Sequence, residues 1–394
     1  MIRSLKRVRA LVAISGIALL AAACGGSTPA PVAKADVKFG LIYSQTGALA
    51  AYGKEYIDGF NIGLKYVTKG TGLVNGHKIV VNTNDDGGDA AKAVTIAKDL
   101  IGQGYHIIGG SASSGVALQV APLAAQNKVL FISGAAATDA ITGINKYTFR
   151  SGRQSIQDVF TAKAMIGDVT GKKVLVFAQD TAFGQGNVSA VKAVFTGATV
   201  SSLLVPFSAS DFTPFAKQAK DSKSDLIFVA WAGASAQSMW QAMSQQGAVD
   251  SSTVVVTGLA EKGTWPIFGT AGTKISLLAH YFEGASSNAA ATYLINEEKK
   301  AGSFSDLFSP DGFVTAQLLA RAIEKADGDT NVDAMITALE GYSFLAPKGQ
   351  QTVRASDHAM LQPMFIANLS QSGSDYTATL VKALSAQDTA PAPK

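Results

Sequence analysis

The sequence is poor in the residues that build disulfides and metal centres. Its 394 residues include one cysteine and four histidines, and only 16% are charged. A single cysteine excludes an internal disulfide framework and cysteine-rich zinc or iron–sulfur sites. The histidines stand apart in the sequence and form no HExxH pair. These shortages argue against the common metal-dependent enzymes.

Net charge is also scarce. There are 33 basic and 29 acidic residues, and four of the basic ones lie among the first nine residues: Arg3, Lys6, Arg7 and Arg9. Without residues 1–23 the chain carries 29 charges of each sign. A neutral chain excludes a strongly basic nucleic-acid binder. Because single cores stop growing at roughly 250–300 residues, the length predicts two domains.

Motifs for catalysis and cofactor binding are missing too. The stretch 110–115 lacks the GxSxG spacing, and 184–186 lacks the third glycine of a dinucleotide-binding turn. Residues 82–87 resemble the start of a calcium loop, but its twelfth position is Ala93 instead of glutamate. We therefore expect no catalytic activity, no cofactor and no metal.

The N-terminal segment has the plan of an export signal. After the four cations, residues 10–23 form a nearly continuous apolar run, which is shorter than the ~20 residues of a membrane-spanning helix. Ala21-Ala22-Ala23-Cys24 resembles a bacterial lipobox, although leucine is commoner than alanine at the first of these positions. We predict a lipoprotein signal peptide at 1–23, lipidation of Cys24 and a flexible tether at 24–36. The alternative is an ordinary signal with an incidental cysteine.

Strand-like and helix-like stretches alternate from Asp36 onward, which predicts doubly wound α/β lobes. One set ends near 147–150, and a second contains the apolar runs 173–178 and 225–231. A helical region follows at 288–342, and two final strand-like pieces flank a turn at 371–375. The pattern predicts two lobes of similar size, with the late helices free to return to the first.

Small residues follow two predicted strands of the first lobe, in the loops 110–115 and 134–139. Ligands of doubly wound folds bind at the carboxyl ends of the strands, where helix N-termini offer unpaired N–H groups to anions. These loops therefore predict a wall that accepts a carboxylate. The alternative is that their serines and glycines only cap helices and form turns.

The chain resembles the type I periplasmic binding proteins of the branched-chain (Leu/Ile/Val) amino-acid receptor family. The resemblance covers residues 37 to about 385 and is carried by four blocks: FGLIYSQTGALAAYGKEYIDGFNIGL, IIGGSASSGVALQVAPLAAQNKVLFISGAAATDAIT, FAQDTAFGQG and PKGQQTVRASDHAMLQP. It implies two Rossmann-like lobes joined by a three-crossover hinge, near 150–153, 280–284 and 341–345. Lobe 1 would be 37–150 plus 284–342 and lobe 2 would be 151–283 plus 343–385, with a C-terminal tail at 386–394.

The resemblance also implies ligand-binding residues, some of which depart from the family pattern. Phe183 stands where a tyrosine is common, and Glu261 lies one place beyond the acid that pairs with a ligand ammonium. Trp231 fits either a pocket wall or a core. Without an ammonium partner the ligand would be a carboxylate that lacks an α-amino group. The implied contacts are Tyr52, Ser113, Ser114, Ala135, Ala136, Thr138, Phe183, Trp231 and Glu261, with Ala137 in the place of Thr138 if no gap is allowed.

The expected function is that of an extracytoplasmic receptor, anchored to the cell membrane by lipid, which serves an ABC importer. It would bind a small amino acid or another carboxylate between its lobes and pass it to ABC permease subunits. We expect a monomer with no nucleic-acid partner. A ligand-sensing receptor for a membrane signalling partner uses the same fold and remains the alternative.

Overall fold

The alternation of strands and helices is present in the computed structural model, which describes residues 34–252, 254–273 and 275–394. The predicted signal peptide at 1–23, Cys24 and most of the tether at 24–36 lie outside the described residues. None of the described helices is both long and apolar enough to cross a membrane.

The first lobe is built on a six-stranded sheet flanked by helices. Its elements in chain order are β1 (Val37–Tyr43), α1 (Ala50–Val67), β2 (Leu73–Val74), β3 (His77–Asp85), α2 (Ala90–Gly102), β4 (Ile107–Gly110), α3 (Ser114–Asn127), β5 (Leu130–Ser133) and β6 (Thr148–Arg150). The strand order is β2-β3-β1-β4-β5-β6, and only β2 runs antiparallel. Because helices cover both faces, apolar residues occupy nearly every position of its central strands.

The second lobe has a seven-stranded sheet of the same kind. Its first elements are α4 (Ser155–Ile166), β7 (Lys173–Asp180), α5 (Ala182–Val194), β8 (Thr199–Pro206), α6 (Thr213–Asp221), β9 (Leu226–Ala230), α7 (Ala236–Gln245), β10 (Val254–Gly258), a 3-10 segment (Lys262–Thr273) and β11 (Ile275–Ala279). The chain returns to this sheet at its end, as β15 (Met364–Ser372) and β16 (Asp375–Leu384). These two antiparallel strands complete the order β16-β15-β11-β10-β9-β7-β8. The predicted α/β class with parallel sheets flanked by helices is confirmed.

The late helices pack on the first lobe, as the sequence allowed. They are α8 (Ala289–Lys300), α9 (Ser309–Ala326) and α10 (Val332–Leu339). Helix α9 lies unusually close to α1, because a Cβ atom at Gly59 would stand 1.9 Å from the carbonyl oxygen of Ser309. A side chain at Gly63 would likewise meet the backbone of Phe313 at 2.7 Å. Glycine at these two positions therefore permits the contact that holds the late helices in place.

A small three-stranded sheet follows α10 and belongs to the first lobe. It consists of β12 (Ser343–Ala346), β13 (Gly349–Val353) and β14 (Met360–Leu361). Phe344, Val353 and Met360 are buried in the same core as β1 and α9. The prediction that assigned all of 343–385 to lobe 2 is therefore wrong for 343–361. These strands carry apolar side chains that pack on α9 and α10 instead of on the second sheet.

In the described chain, three crossings join the lobes before the C-terminal tail. They lie at 151–154, between β6 and α4, at 280–288, between β11 and α8, and at 362–363, between β14 and β15. The third differs from the predicted position at 341–345, because the three-stranded sheet has to be completed before the chain leaves the first lobe.

The predicted C-terminal tail at 386–394 packs against the first lobe. The carbonyl oxygen of Pro391 accepts a hydrogen bond from Arg354 at 2.6 Å, and the backbone N–H of Lys394 donates to Asp357 at 3.1 Å. Both partners lie in the loop between β13 and β14. The last residues thus lead from β16 of the second lobe back to the first.

Candidate ligand-binding site

A cavity of about 670 Å³ lies between the lobes, at the carboxyl ends of strands from both sheets. This is where doubly wound folds place their ligands. The first lobe contributes the loops that follow β1, β4 and β5, and the second contributes those that follow β7, β9 and β10. The residues that line it include Tyr52, Asp89, Ser113, Ser114, Gly115, Ala135, Ala137, Arg153, Asp158, Asp180, Thr181, Phe183, Trp231, His280 and Phe308.

The first-lobe wall includes the N-terminus of α3. Ser113 caps this helix, and its hydroxyl oxygen accepts from the backbone N–H of Val116 at 3.4 Å. The hydroxyl oxygen of Ser114 accepts from the backbone N–H of Thr138 at 3.2 Å. Helix geometry leaves the backbone N–H groups of Ser114 and Gly115 without an acceptor inside the helix. Both residues line the cavity, so this wall offers hydrogen-bond donors and the positive end of a helix dipole.

The second-lobe wall includes a second helix N-terminus. Thr181 caps α5 by accepting from the backbone N–H of Gly184 at 3.2 Å, and Phe183 lies in the first turn. Trp231 follows β9, and its indole N–H donates to the hydroxyl of Ser235 at 3.1 Å. Its ring is also stacked on Phe177, with centroids 5.5 Å apart. The aromatic side of the cavity is therefore held in one orientation by its own contacts.

A buried polar group lies at the floor of the cavity, where two of the chain crossings begin. The Nε atom of Arg153 lies 2.9 Å from Nε2 of His280 and 3.3 Å from Oδ2 of Asp158. Another nitrogen of the same guanidinium donates to the carbonyl oxygen of Ala135 at 3.0 Å. Burial and then Arg153 lower the pKa of His280. Burial alone would raise the pKa of Asp158, but the charges of Arg153 and His280 outweigh it and lower that pKa.

The lobes are closed on one another at the mouth of the cavity. The backbone N–H of Ala234 donates to the carbonyl oxygen of Ala48 at 3.0 Å, and that of Gly233 donates to the hydroxyl of Tyr52 at 3.2 Å. Burial, followed by the charge of Glu261, raises the pKa of this tyrosine well above its ordinary value. Tyr52 therefore stays a neutral hydroxyl that links the first lobe to the second.

Six of the nine residues predicted from the sequence line the cavity: Tyr52, Ser113, Ser114, Ala135, Phe183 and Trp231. The other three are Ala136, Thr138 and Glu261. Ala136 is fully buried, and its carbonyl oxygen accepts from Arg150 at 2.7 Å. The hydroxyl oxygen of Thr138 caps a short 3-10 turn by accepting from Ala140 at 3.3 Å. In this loop Ala137 faces the cavity in their place.

Glu261 does not line the cavity. It is half-buried beside Tyr52, and burial raises its pKa. The carboxylate interacts with the tyrosine hydroxyl, and the charge of Glu261 contributes to the raised pKa of Tyr52. The structure thus brings Glu261 to the closed edge of the cleft instead of to the ligand space.

Comparison with known proteins agrees with this geometry. The family model described as periplasmic binding protein matches residues 36–375. This chain belongs to the periplasmic binding protein family. Its members are solute-binding receptors that work outside the cytoplasm, and they are not enzymes. The chain is similar to the Leu/Ile/Val-binding protein BraC3 of Rhizobium johnstonii, at 26% identity over 79% of this chain and 85% of that protein.

Solved structures of periplasmic binding proteins share the two-lobed fold. An ABC-type branched-chain amino acid transporter protein from Rhodopseudomonas palustris CGA009 is 31% identical, with a TM-score of 0.74 over 90% of this chain and 98% of that one. A solute-binding protein of an ABC transporter from R. palustris HaA2, in complex with p-hydroxybenzoic acid, has a TM-score of 0.81 at 22% identity over the same shares. The latter likeness supports the fold alone.

The buried group formed by Arg153, Asp158 and His280 was not predicted from the sequence of this periplasmic binding protein. Two of these residues, Arg153 and His280, could have been identified from their positions, because both lie at predicted chain crossings. Crossings between lobes form the floor of the cleft, so a charged or titratable residue at one of them faces the ligand space or supports it. Asp158 lies one turn into α4 and carries no comparable signal.

Proposed function

We propose that this chain is an extracytoplasmic, lipid-anchored receptor that captures a small aromatic carboxylic acid between its lobes and delivers it to the permease of an ABC importer. Binding would stabilise the closed conformation, because a ligand can contact both lobes at once only when they are closed.

The observation that carries this proposal is the convergence of two helix N-termini, one from each lobe, on the same cavity. Ser113–Gly115 of α3 and Thr181–Phe183 of α5 both line it. Each N-terminus carries unpaired N–H groups and a partial positive charge, which favour an anion. A carboxylate placed between them would accept hydrogen bonds from both lobes and so would favour closure.

The acids along the cavity do not suit a ligand ammonium. Asp158 is buried and already engaged by Arg153 and His280. Asp89 and Asp180 are exposed at the edge, where Asp89 caps α2 and Asp180 accepts from Gln185. Among the described lining residues, none is a buried carboxylate without a partner. An α-amino acid would therefore have to give up the hydration of its ammonium group without full compensation.

The remaining wall suits an aromatic ring. Phe183, Trp231 and Phe308 present apolar surface, and flat rings favour offset-stacked or edge-to-face contacts. The same fold holds p-hydroxybenzoic acid in the R. palustris HaA2 protein, whereas the curated relatives are named for leucine, isoleucine and valine. We place the aromatic acid first because, among the described residues that line the cavity, no buried acid is free to pair with an ammonium.

A ligand screen by thermal shift tests the ligand class. We expect 4-hydroxybenzoate or benzoate to raise the melting temperature of the purified chain, and leucine and glucose to leave it unchanged. A ligand at about 100 times its Kd adds about 2.7 kcal/mol to the free energy of unfolding, which such a scan detects. A shift with leucine alone would overturn the aromatic acid. A shift with glucose alone would overturn the carboxylate site.

Membrane fractionation tests the anchor. Cys24→Ser should move the protein from the membrane fraction to the soluble fraction, because it removes the only thiol of the chain. Ser27→Ala, three residues away, is the matched control and should stay with the membrane. Equal retention of the Cys24→Ser and control proteins would contradict lipidation.

A further inference from the structure

Four carboxylates gather at the closed edge of the cleft, outside the cavity. Glu55 lies on α1, Glu298 on α8, and Asp306 in the loop between α8 and α9, all in the first lobe. Glu261 approaches them from the second lobe, just before the 3-10 segment. Glu298 and Asp306 are buried, and the other two are half-buried. We refer to these four residues as the carboxylate cluster.

The carboxylate cluster lies directly on the contact between the lobes. The backbone N–H of Lys262 in the second lobe donates to Oδ2 of Asp306 at 2.5 Å. On the first-lobe side, Glu55 accepts from the backbone N–H of Phe308 at 3.3 Å. Closure of the lobes therefore brings Glu261 and its neighbour Lys262 close to Glu55 and Asp306. Water reaches these two acids when the lobes separate.

Within the described part of the chain, no ion pair joins any member of the carboxylate cluster to lysine, arginine or histidine. A hydrogen bond with Asp58, followed by the charges of Glu298 and Glu55, does raise the pKa of Lys54. The nearby cations have other partners: Lys54 pairs with Asp58, Lys299 pairs with Glu283, and the ammonium of Lys262 lies 5.1 Å from the ring centre of Phe304. The acids Asp58 and Glu283 add negative potential from the same side. Four acidic side chains thus share a poorly hydrated space, in which their ionised forms would repel one another.

Burial decides the protonation of this group in the closed state. It raises the pKa of Asp306 to about 7, although the N–H groups of Lys262 and Leu307 act in the opposite direction. Burial, followed by the charges of Asp306 and Glu261, raises the pKa of Glu55 well above its ordinary value. When the lobes open, hydration returns and Glu261 moves away. Both changes lower these pKa values toward those of free carboxylates.

We propose that the carboxylate cluster is a proton-operated latch, which favours lobe closure when it takes up a proton and favours opening when it loses one. The receptor then holds its ligand in an acidic medium and releases it more readily as the medium becomes neutral or alkaline. Because the groups bind protons more tightly in the closed state, the advantage of closure is full at acidic pH and is lost as the pH rises through about 7. This inference rests on the proposed function only for the identity of the ligand that the closed lobes hold.

Small-angle X-ray scattering of the ligand-free protein tests the latch. The full chain carrying Cys24→Ser, which keeps it in solution, is measured from pH 5.5 to 8.5. We expect a compact form at the acidic end and an expanded form at the alkaline end. One linked proton changes the ratio of closed to open forms by up to tenfold per pH unit. Asp306→Asn should stay more compact than the wild type at alkaline pH, because it keeps an acceptor for Lys262 and removes one titratable acid from the carboxylate cluster.

Asp333→Asn is the matched control, since Asp333 is an exposed acid paired with Lys146 in the first lobe. It should keep the wild-type pH profile. Dimensions that do not change with pH in the wild type, or an Asp306→Asn profile equal to that of the wild type, would overturn the latch. Should Asp306→Asn fail to fold by circular dichroism, Glu261→Gln tests the same prediction from the second lobe. If the protein fails to bind 4-hydroxybenzoate, only the proposed ligand class is overturned. The latch is tested separately, because the scattering is measured without ligand.

Discussion

The hydroxyl of Tyr52 accepts a hydrogen bond from the backbone N–H of Gly233 at 3.2 Å, and this bond ties the two lobes together beside the cavity. Tyr52 also packs its ring edge-on against Phe308, with centroids 4.8 Å apart. One side chain thus forms part of the ligand wall and part of the contact that exists only when the lobes are closed.

Tyr52→Phe should weaken ligand binding without unfolding the protein. It removes an inter-lobe hydrogen bond worth roughly 0.5–1.5 kcal/mol, which corresponds to about a two- to twelvefold rise in the Kd for 4-hydroxybenzoate. The ring contact with Phe308 remains. Isothermal titration calorimetry measures the change, and Tyr66→Phe on the same helix is the control. Equal affinities in the two variants would contradict a role for this bond in closure.

Replacing Ser113 and Ser114 together by alanine should weaken carboxylate binding at least tenfold. Each hydroxyl can donate to the ligand, and hydrogen bonds to a charged group are worth roughly 1.5–3 kcal/mol. Loss of the Ser113 cap should also lower the free energy of unfolding by ~1 kcal/mol. Calorimetry with a parallel urea melt separates the two effects, and Ser189→Ala is the control. Unchanged affinity in a folded double variant would place the ligand elsewhere.

Glu261→Gln distinguishes the two ligand classes. With an aromatic acid, the affinity at pH 7.5 should stay the same or improve, because the carboxylate cluster loses one of its negative charges and Glu261 does not line the cavity. With an α-amino acid held by this glutamate, binding should weaken about tenfold. Titration of the variant with 4-hydroxybenzoate and with leucine gives the answer. A tenfold loss for leucine would contradict the aromatic acid as the natural ligand.

Asp311→Ala should destabilise the first lobe strongly. Asp311 accepts from Lys348 at 2.6 Å, and both side chains are fully buried. Removing one partner leaves an uncompensated charge and costs roughly 3–5 kcal/mol, whereas Asp221→Ala at the exposed pair with Lys217 should cost under about 1 kcal/mol.

The Asp311→Ala variant should recover part of its stability at high pH. Burial lowers the pKa of Lys348, and the loss of Asp311 removes an interaction that raises it. A lysine whose pKa is lower in the folded than in the unfolded state stabilises the fold increasingly as the pH rises. Urea unfolding at pH 7 and pH 9.5 measures the difference. A loss of stability with rising pH would contradict the assignment.

Local pattern was enough to predict most of the fold. The buried strands β7 and β9 appear in the sequence as apolar runs, and the turn at Gly373 separates β15 from β16 as expected. The sheet formed by β12–β14 was missed because its strands have only two to five residues each, too few for a clear alternation. The third crossing was consequently placed too early.

The candidate site was predictable where a single loop forms it, and not where distant segments meet. Ser113 and Ser114 follow a strand and begin a helix, which is a local signal. Arg153 and His280 come together only through the folding of two crossings 127 residues apart. The family resemblance puts Glu261 one position away from an acid that binds the ligand. Its side chain instead reaches Tyr52 at the edge of the lobes, and no pattern in the sequence predicts that orientation.

The anion-facing end of the cavity depends heavily on backbone N–H groups at Ser114 and Gly115, which every amino acid except proline would also supply. Mutation can therefore do little to abolish this part of recognition. Phe183 and Trp231 act through their side chains, so single substitutions in the second lobe can alter which acids fit. If the site binds a carboxylate as proposed, receptors of this design can acquire new ligands through changes in these side chains, while the helix N-termini continue to select for the carboxylate.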